Sequence, residues 1–196
     1  AAWTLVFVSG AYIVFKSVER KEPFYVYAGL GVAMIATATS IELQGASLTI
    51  AYTIESLIVG LTAYSVLKDF RIAEKLSWLF IFPGFLSLGS IWSGSWNISV
   101  FNKDLFVLLV IGLSISSLGY FLWQVARERN LPSSTAKPLM IIGSIYMYIL
   151  LWVSLQSALL DNNLAVMISL VTYTIIGLYS YFYGLSHSRT LYLYGG

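Results

Sequence analysis

Glu55 is the only acidic or basic side chain set well inside an apolar stretch of this chain. A charged carboxylate at such depth costs on the order of 2.5–3.5 kcal/mol on insertion scales, so it requires a partner, a wet cavity or a proton. No Lys or Arg shares its depth. Tyr52, Ser56 and Thr62 lie near it by helical spacing, Gln44 precedes it in the adjoining gap, and Gln156 and Trp152 stand near the outer end of a later apolar run. These residues predict a polar pocket opening outward from Glu55, with Gln44 and Gln156 at its rim and Trp152 beside it. Such a pocket would take a proton, a cation or a polar ligand. A second reading stands beside this one, in which Glu55 is hydrogen-bonded to Ser, Thr or Tyr and simply holds helices together.

The rest of the sequence offers little to catalysis. A second buried carboxylate to pair with Glu55 is lacking, and so are a Gly-rich phosphate loop and a His-rich metal set. With no cysteine, thiolate chemistry, Cys-based metal sites and disulfides are excluded. The lone histidine, His187, lies in a basic gap where a solvated role is the default. A Schiff-base chromophore is disfavoured because the run 165–185 contains no Lys. The expectation is a non-enzymatic protein with no cofactor and no metal. The net charge of +2 is too small and too localised to imply nucleic acid.

The elements that must position these residues are membrane helices. A chain of 196 residues that is 58% hydrophobic and 10% charged, at mean hydropathy +0.80, has too few polar side chains for a water-soluble domain. Apolar runs cover 1–15, 24–40, 48–67, 76–92, 105–126, 139–158 and 165–185. Unbroken runs of this kind suit helices, since barrel strands would alternate over about ten residues. The fold class is therefore all-α, a polytopic transmembrane bundle of seven spans plus the start of an eighth at 191–196, forming one domain over 1–196. A span needs about 20 apolar residues, so the short first run reads as a clipped helix and the chain as truncated at both ends. The gaps 41–47 and 159–164 are so short that their flanking helices should be antiparallel neighbours.

Basic residues sit in alternate gaps. Lys16, Arg20 and Lys21 share one, Lys68, Arg71 and Lys75 the next, Arg127, Arg129 and Lys137 a third, and Arg189 follows the last run. The intervening gaps hold only Lys103. Short basic loops stay on the cytoplasmic side. The localisation read from this is the cell membrane, multi-pass, with the N-terminal end outside and the C-terminal end cytoplasmic. Trp3, Trp92 and Trp96 fall at outer ends, and Trp78 and Trp123 near basic gaps, as interfacial anchors do.

Small residues recur at helical spacing: Gly29, Ala33 and Thr37; Ser56 and Gly60; Gly112 and Ser116. They predict close helix packing. Pro83 predicts a kink in the fourth run. Tyr25 to Gly29 and Tyr192 to Gly196 share a Tyr, Tyr, Gly spacing, and Tyr12 to Lys16 and Tyr64 to Lys68 share a Tyr-x-x-x-Lys exit. The repeating unit would be a helix, a basic turn and a second helix, roughly 50–60 residues long.

Ala51-Tyr52-Thr53-Ile54-Glu55, then Gly60-Leu61 and a basic turn, resembles a bacterial predicted membrane protein family, the domain-of-unknown-function family 2339. Gly184-Leu185, Arg189 and Gly195 resemble the same family's Gly-Leu-basic-turn-Gly passage, while Tyr52 stands where that family has Trp. The resemblance implies an internal piece of a longer inner-membrane protein, whose partners are the lipid bilayer and further helices of the same chain. It implies architecture and no activity. Three functions follow as expectations: envelope-associated ligand handling or membrane assembly; a transporter module using Glu55 as a proton or cation site; and a seven-helix sensor.

Overall fold

A computed structural model describes residues 22–159 and 161–186, together with Gly10 and Ile13. Helices α1 (Glu22–Glu42) and α2 (Ala46–Leu67) are joined by a tight turn at Gly45, whose φ of 59° lies in the left-handed region that favours glycine. At the other end of α2, Lys68 takes a left-handed conformation and donates its N–H to Tyr64 O at 2.9 Å. Asp69 then caps α3 (Phe70–Leu76) by accepting from the N–H groups of Arg71 and Ile72. A 3-10 turn at Ser77–Phe80 leads into α4 (Ile81–Ile91), and a second at Gly94–Asn97 follows it. The chain continues as α5 (Lys103–Glu128), α6 (Ala136–Ala158) and α7 (Asn162–Ser186). Among the described residues there is no strand.

The all-α class is therefore observed, with fewer than seven spans among the described residues. Five segments are long and apolar enough to cross a membrane: Ala46–Leu67, Phe70–Asn97, Lys103–Glu128, Ala136–Ala158 and Asn162–Tyr183. The run at 24–40 forms the 21-residue helix α1. Of the first run, only Gly10 and Ile13 are described, both helical, and the expected eighth helix lies outside the described residues. So do the repeat partners Tyr12 and Tyr192.

The helix α5 is the hub. Leu108, Ile111, Leu118 and Leu122 on it are fully buried, and α2, α4 and α6 all pack against it. Packing of α1 on α2, and of α7 on α6, gives the side-by-side neighbours that the short gaps demand. The α5–α6 contact is the closest. A Cβ on Gly143 of α6 would lie 2.1 Å from Ser116 Oγ and 2.9 Å from its backbone N, and one on Gly119 of α5 would lie 3.0 Å from Met140 N. Those backbones touch, which only residues lacking a side chain allow. Gly60 of α2 likewise faces Leu118. The row Gly29, Ala33 and Thr37 is exposed, and among the described residues nothing lies within 4 Å of a Cβ on Gly29. Spacing alone does not say whether a small-residue stripe has a helix opposite it.

Pro83 sits buried in the first turn of α4, and the irregularity precedes it. Without an N–H to reach the carbonyl four residues back, and with its ring crowding that carbonyl, it leaves the turn at Ser77–Phe80 to tighten into 3-10 bonding. Trp96 is a correction. Rather than anchoring at an interface, it is only 7% exposed and donates its indole N–H to Ser90 O at 2.7 Å, whereas Trp92 is 78% exposed. Ser157 Oγ of α6 donates to Trp96 O at 2.5 Å, so the Trp96 loop is bolted to two helices.

Gly143→Leu should break the α5–α6 contact and cost at least the roughly 1–3 kcal/mol typical of overpacking. Thermal unfolding in detergent measures it, and Gly29→Leu, facing open space, should leave the midpoint unchanged.

Candidate functional site

The helix pair α1–α2 places Glu55 as the apolar sequence requires. Tyr52 and Glu55, one turn apart on α2, face Ala36 and Thr39, one turn apart on α1. Tyr52 donates its hydroxyl to Ala36 O at 2.9 Å, and Thr39 Oγ1 donates to Glu55 Oε1 at 2.5 Å. The Tyr52 ring also meets Phe82 of α4 edge-on, with centroids 5.2 Å apart. Glu55 is half-buried. Its sequence neighbours separate: Ser56 is buried, while Thr62 is exposed. Carboxylate and threonine here form a hydrogen-bonded clasp between two helices.

The rim expected for this pocket does not assemble around it. Gln44 is exposed in the turn before α2. Gln156 lies on α6, where its Nε2 donates to Asn162 Oδ1 of α7 at 3.1 Å, and Trp152 is 41% exposed on the same helix. Helices α2 and α6 each pack on α5, which stands between them. A shared depth in the sequence placed Glu55 and Gln156 at one level, and depth does not specify which helices are neighbours.

Two polar clusters that sequence reasoning passed over are built more elaborately. At the end of the bundle away from the basic turns, Asn102 Oδ1 accepts from the N–H groups of Asp104 and Leu105, both at 2.9 Å, starting α5. Asp104 is buried and accepts a very short hydrogen bond from Ser95 Oγ. The Asn-Lys-Asp order at 102–104 was the available signal, an N-cap with an acid in the first turn.

At the basic end, Glu74 of α3 reaches across to the start of α6. Its Oε1 accepts from Ser133 Oγ at 2.5 Å, Ser134 N at 3.1 Å and Thr135 N at 3.3 Å. Ser133 Oγ in turn accepts from Ala136 N at 3.1 Å. One carboxylate thus satisfies two free N–H groups at a helix start, where its charge also suits the helix dipole. Nearby, Arg129 donates to Lys68 O at 3.4 Å, and both cations lie over the Tyr64 ring, at 5.4 Å and 5.9 Å from its centroid. The Tyr-x-x-x-Lys exit at Tyr64 therefore has a physical basis in this cation–π stack.

Two cavities adjoin this end. A cleft of about 280 Å³ is lined by Arg71, Glu74, Lys75, Leu131, Pro132 and Ser134, among others. An apolar groove of about 320 Å³ runs from Ser77 and Thr135 along α4 and α6 to Leu88 and Tyr146. Trp78 and Thr135 line both. At the floor of the groove, Tyr146 donates to Gly84 O at 3.0 Å, and its oxygen lies 2.9 Å from Ser87 Oγ. The tyrosine's polar tip is thereby consumed, leaving an apolar wall. No group of three or more His, Cys, Asp or Glu among the described residues could hold a metal ion.

Among the described residues the fold is all-helical, with five segments long and apolar enough to cross a membrane. No protein-family model, no curated protein and no solved structure matches the chain.

Removing the Glu74 carboxylate strands donors at the start of α6, of which Thr135 is buried and Ser133 half-buried. Glu74→Ala should destabilise by about 1–3 kcal/mol, with Glu74→Gln, which keeps one acceptor oxygen, losing less; denaturation in detergent separates the two. At the other clasp, a double-mutant cycle on Thr39→Val and Glu55→Gln should give a coupling of about 0.5–1.5 kcal/mol.

Proposed function

We propose that this chain is part of a non-enzymatic, multi-pass protein of the bacterial cell membrane that holds an amphiphilic envelope component between its helices. The groove along α4 and α6 carries this reading. Its walls are Phe80, Ile81, Phe85, Ile142 and their neighbours, and Tyr146 offers it no free hydroxyl hydrogen. A hydrocarbon tail fits such walls, whereas a polar substrate would leave its hydrogen-bonding groups unpaired. The rigid α5–α6 contact beneath supports a fixed surface and not a moving gate.

In this proposal the basic turns face the cytoplasm and seven spans cross the bilayer, with the N-terminal end outside. The concentration of basic residues in alternate gaps supports that orientation, and further helices would pack against the outer ones. Apolar side chains exposed along α7, such as Met167, Leu170, Ile175 and Phe182, suit either lipid or those helices.

Transport through Glu55 is the alternative, favoured by one observation: the half-buried carboxylate is held by a hydroxyl, with no cation beside it among the described residues. The two readings part experimentally. If the groove holds an amphiphile, mass spectrometry of the protein purified in mild detergent detects retained lipid, which is lost in the groove-filling variant Ile142→Trp and kept in Glu55→Gln. If Glu55 transports, Glu55→Gln abolishes dye-reported proton flux into proteoliposomes and Ile142→Trp does not.

The absence of cysteine makes orientation directly testable. Ser99→Cys should react with a membrane-impermeant maleimide in intact cells, and Leu131→Cys only after permeabilisation.

A further inference from the structure

We infer that the cleft beside the groove is the headgroup site of an anionic phospholipid in the cytoplasmic leaflet, with one acyl chain lying in the groove. The inference rests on the groove and orientation proposed above and adds the chemical class of the ligand.

Three observations converge on that class. The first is continuity, because the polar cleft and the apolar groove meet at Trp78 and Thr135. A single molecule occupying both must have a polar head joined to an apolar tail. The second is length. From Ser77 to Leu88, and from Thr135 to Tyr146, the groove follows eleven residue steps, about 16–18 Å at roughly 1.5 Å per α-helical and 2.0 Å per 3-10 residue. Half of a hydrocarbon core of about 30 Å is the depth of one leaflet, and the groove begins at the basic end.

The third is charge. Arg71 and Lys75 line the cleft, both are exposed, and neither is in an ion pair among the described residues. Glu74 also lines the cleft, so its three charged side chains sum to a net charge of +1. The bonding oxygen of Glu74 is turned to Ser133, Ser134 and Thr135, which draws the carboxylate to the start of α6. The cleft presents two cations to a headgroup, and the N–H groups of Ser134 and Thr135 are already taken. Trp78, 60% exposed at the junction, stands where an indole sits in a membrane, at the level between headgroup and chain. Basic pockets between helices on the cytoplasmic side recognise anionic lipid headgroups on this principle.

The experiment uses the full chain in nanodiscs containing equal amounts of phosphatidylglycerol and phosphatidylcholine, extracted into detergent and weighed by native mass spectrometry. Wild type should retain phosphatidylglycerol over phosphatidylcholine by more than tenfold. Arg71→Gln and Lys75→Gln should each reduce that preference about fivefold, and the double variant should abolish it. Arg71→Lys and Lys75→Arg keep the charges and should keep the preference, so a loss caused by misfolding is recognised. Lys103→Gln, a cation at the opposite end, should change nothing. A preference that survives in the double variant, or that falls equally in Lys103→Gln, overturns the inference. Equal retention of the two lipids by wild type, abolished by Ile142→Trp, also overturns it while leaving the groove reading intact. Retention of neither lipid by wild type overturns both.

Discussion

The contact of α5 with α6 at Gly143 holds the remaining helices in place. In lipid no hydrophobic force pulls one apolar helix to another, so association relies on dispersion contacts that grow as backbones approach. Gly143 lets α6 come within touching distance of Ser116 and Gly112 on α5, and Gly119 does the same from the other side. With the α5–α6 pair locked, α5 still has two faces to offer, and α2 and α4 occupy them. The outer helices α1 and α7 rest on members of this set. A lesion in the inner pair therefore reaches α2, α4 and α7 directly, whereas among the described elements α1 packs chiefly on α2 and α7 on α6.

Polar side chains then fix how the segments between the helices lie. Three carboxylates do so with the same device, accepting from hydroxyl or backbone donors on another segment: Glu55 from Thr39, Glu74 from Ser133 to Thr135, and Asp104 from Ser95. None of them relies on an ion pair among the described residues. Hydroxyls serve a membrane bundle better than cations for this purpose. They satisfy a carboxylate without bringing a second charge into a region where each charge is costly to desolvate.

How much of this was legible follows from what each signal encodes. Apolar length is a local property, so α1, α2, α5, α6 and α7 were readable to within a turn or so from their runs. Gly112 and Ser116 were readable as a contact face, but their partner Gly143 was not, because pairing two stripes requires knowing which helices are neighbours. The same gap in information put Gln156 beside Glu55 and sent the Gly29 row looking for a helix that none of the described ones supplies. Glu74 carried no signal of its own. A loop acid is usually solvated, and its role depends on 133–135 folding back some sixty residues later.

Trp96 and Trp78 show why residue type at a boundary underdetermines its job. Both lie at ends of apolar segments, and the indole N–H makes each suited either to an interface or to a buried acceptor. Trp96 finds Ser90 O within reach because the loop after α4 folds back on itself as a 3-10 turn, so burial satisfies its donor. Trp78 lies on the 3-10 turn that Pro83 imposes ahead of α4, where its ring is turned outward beside the mouth of the groove. The proline thus bears on function through geometry and not through motion. By tightening the turn before it, it places an exposed indole between a cleft lined by cations and a groove lined by hydrocarbon.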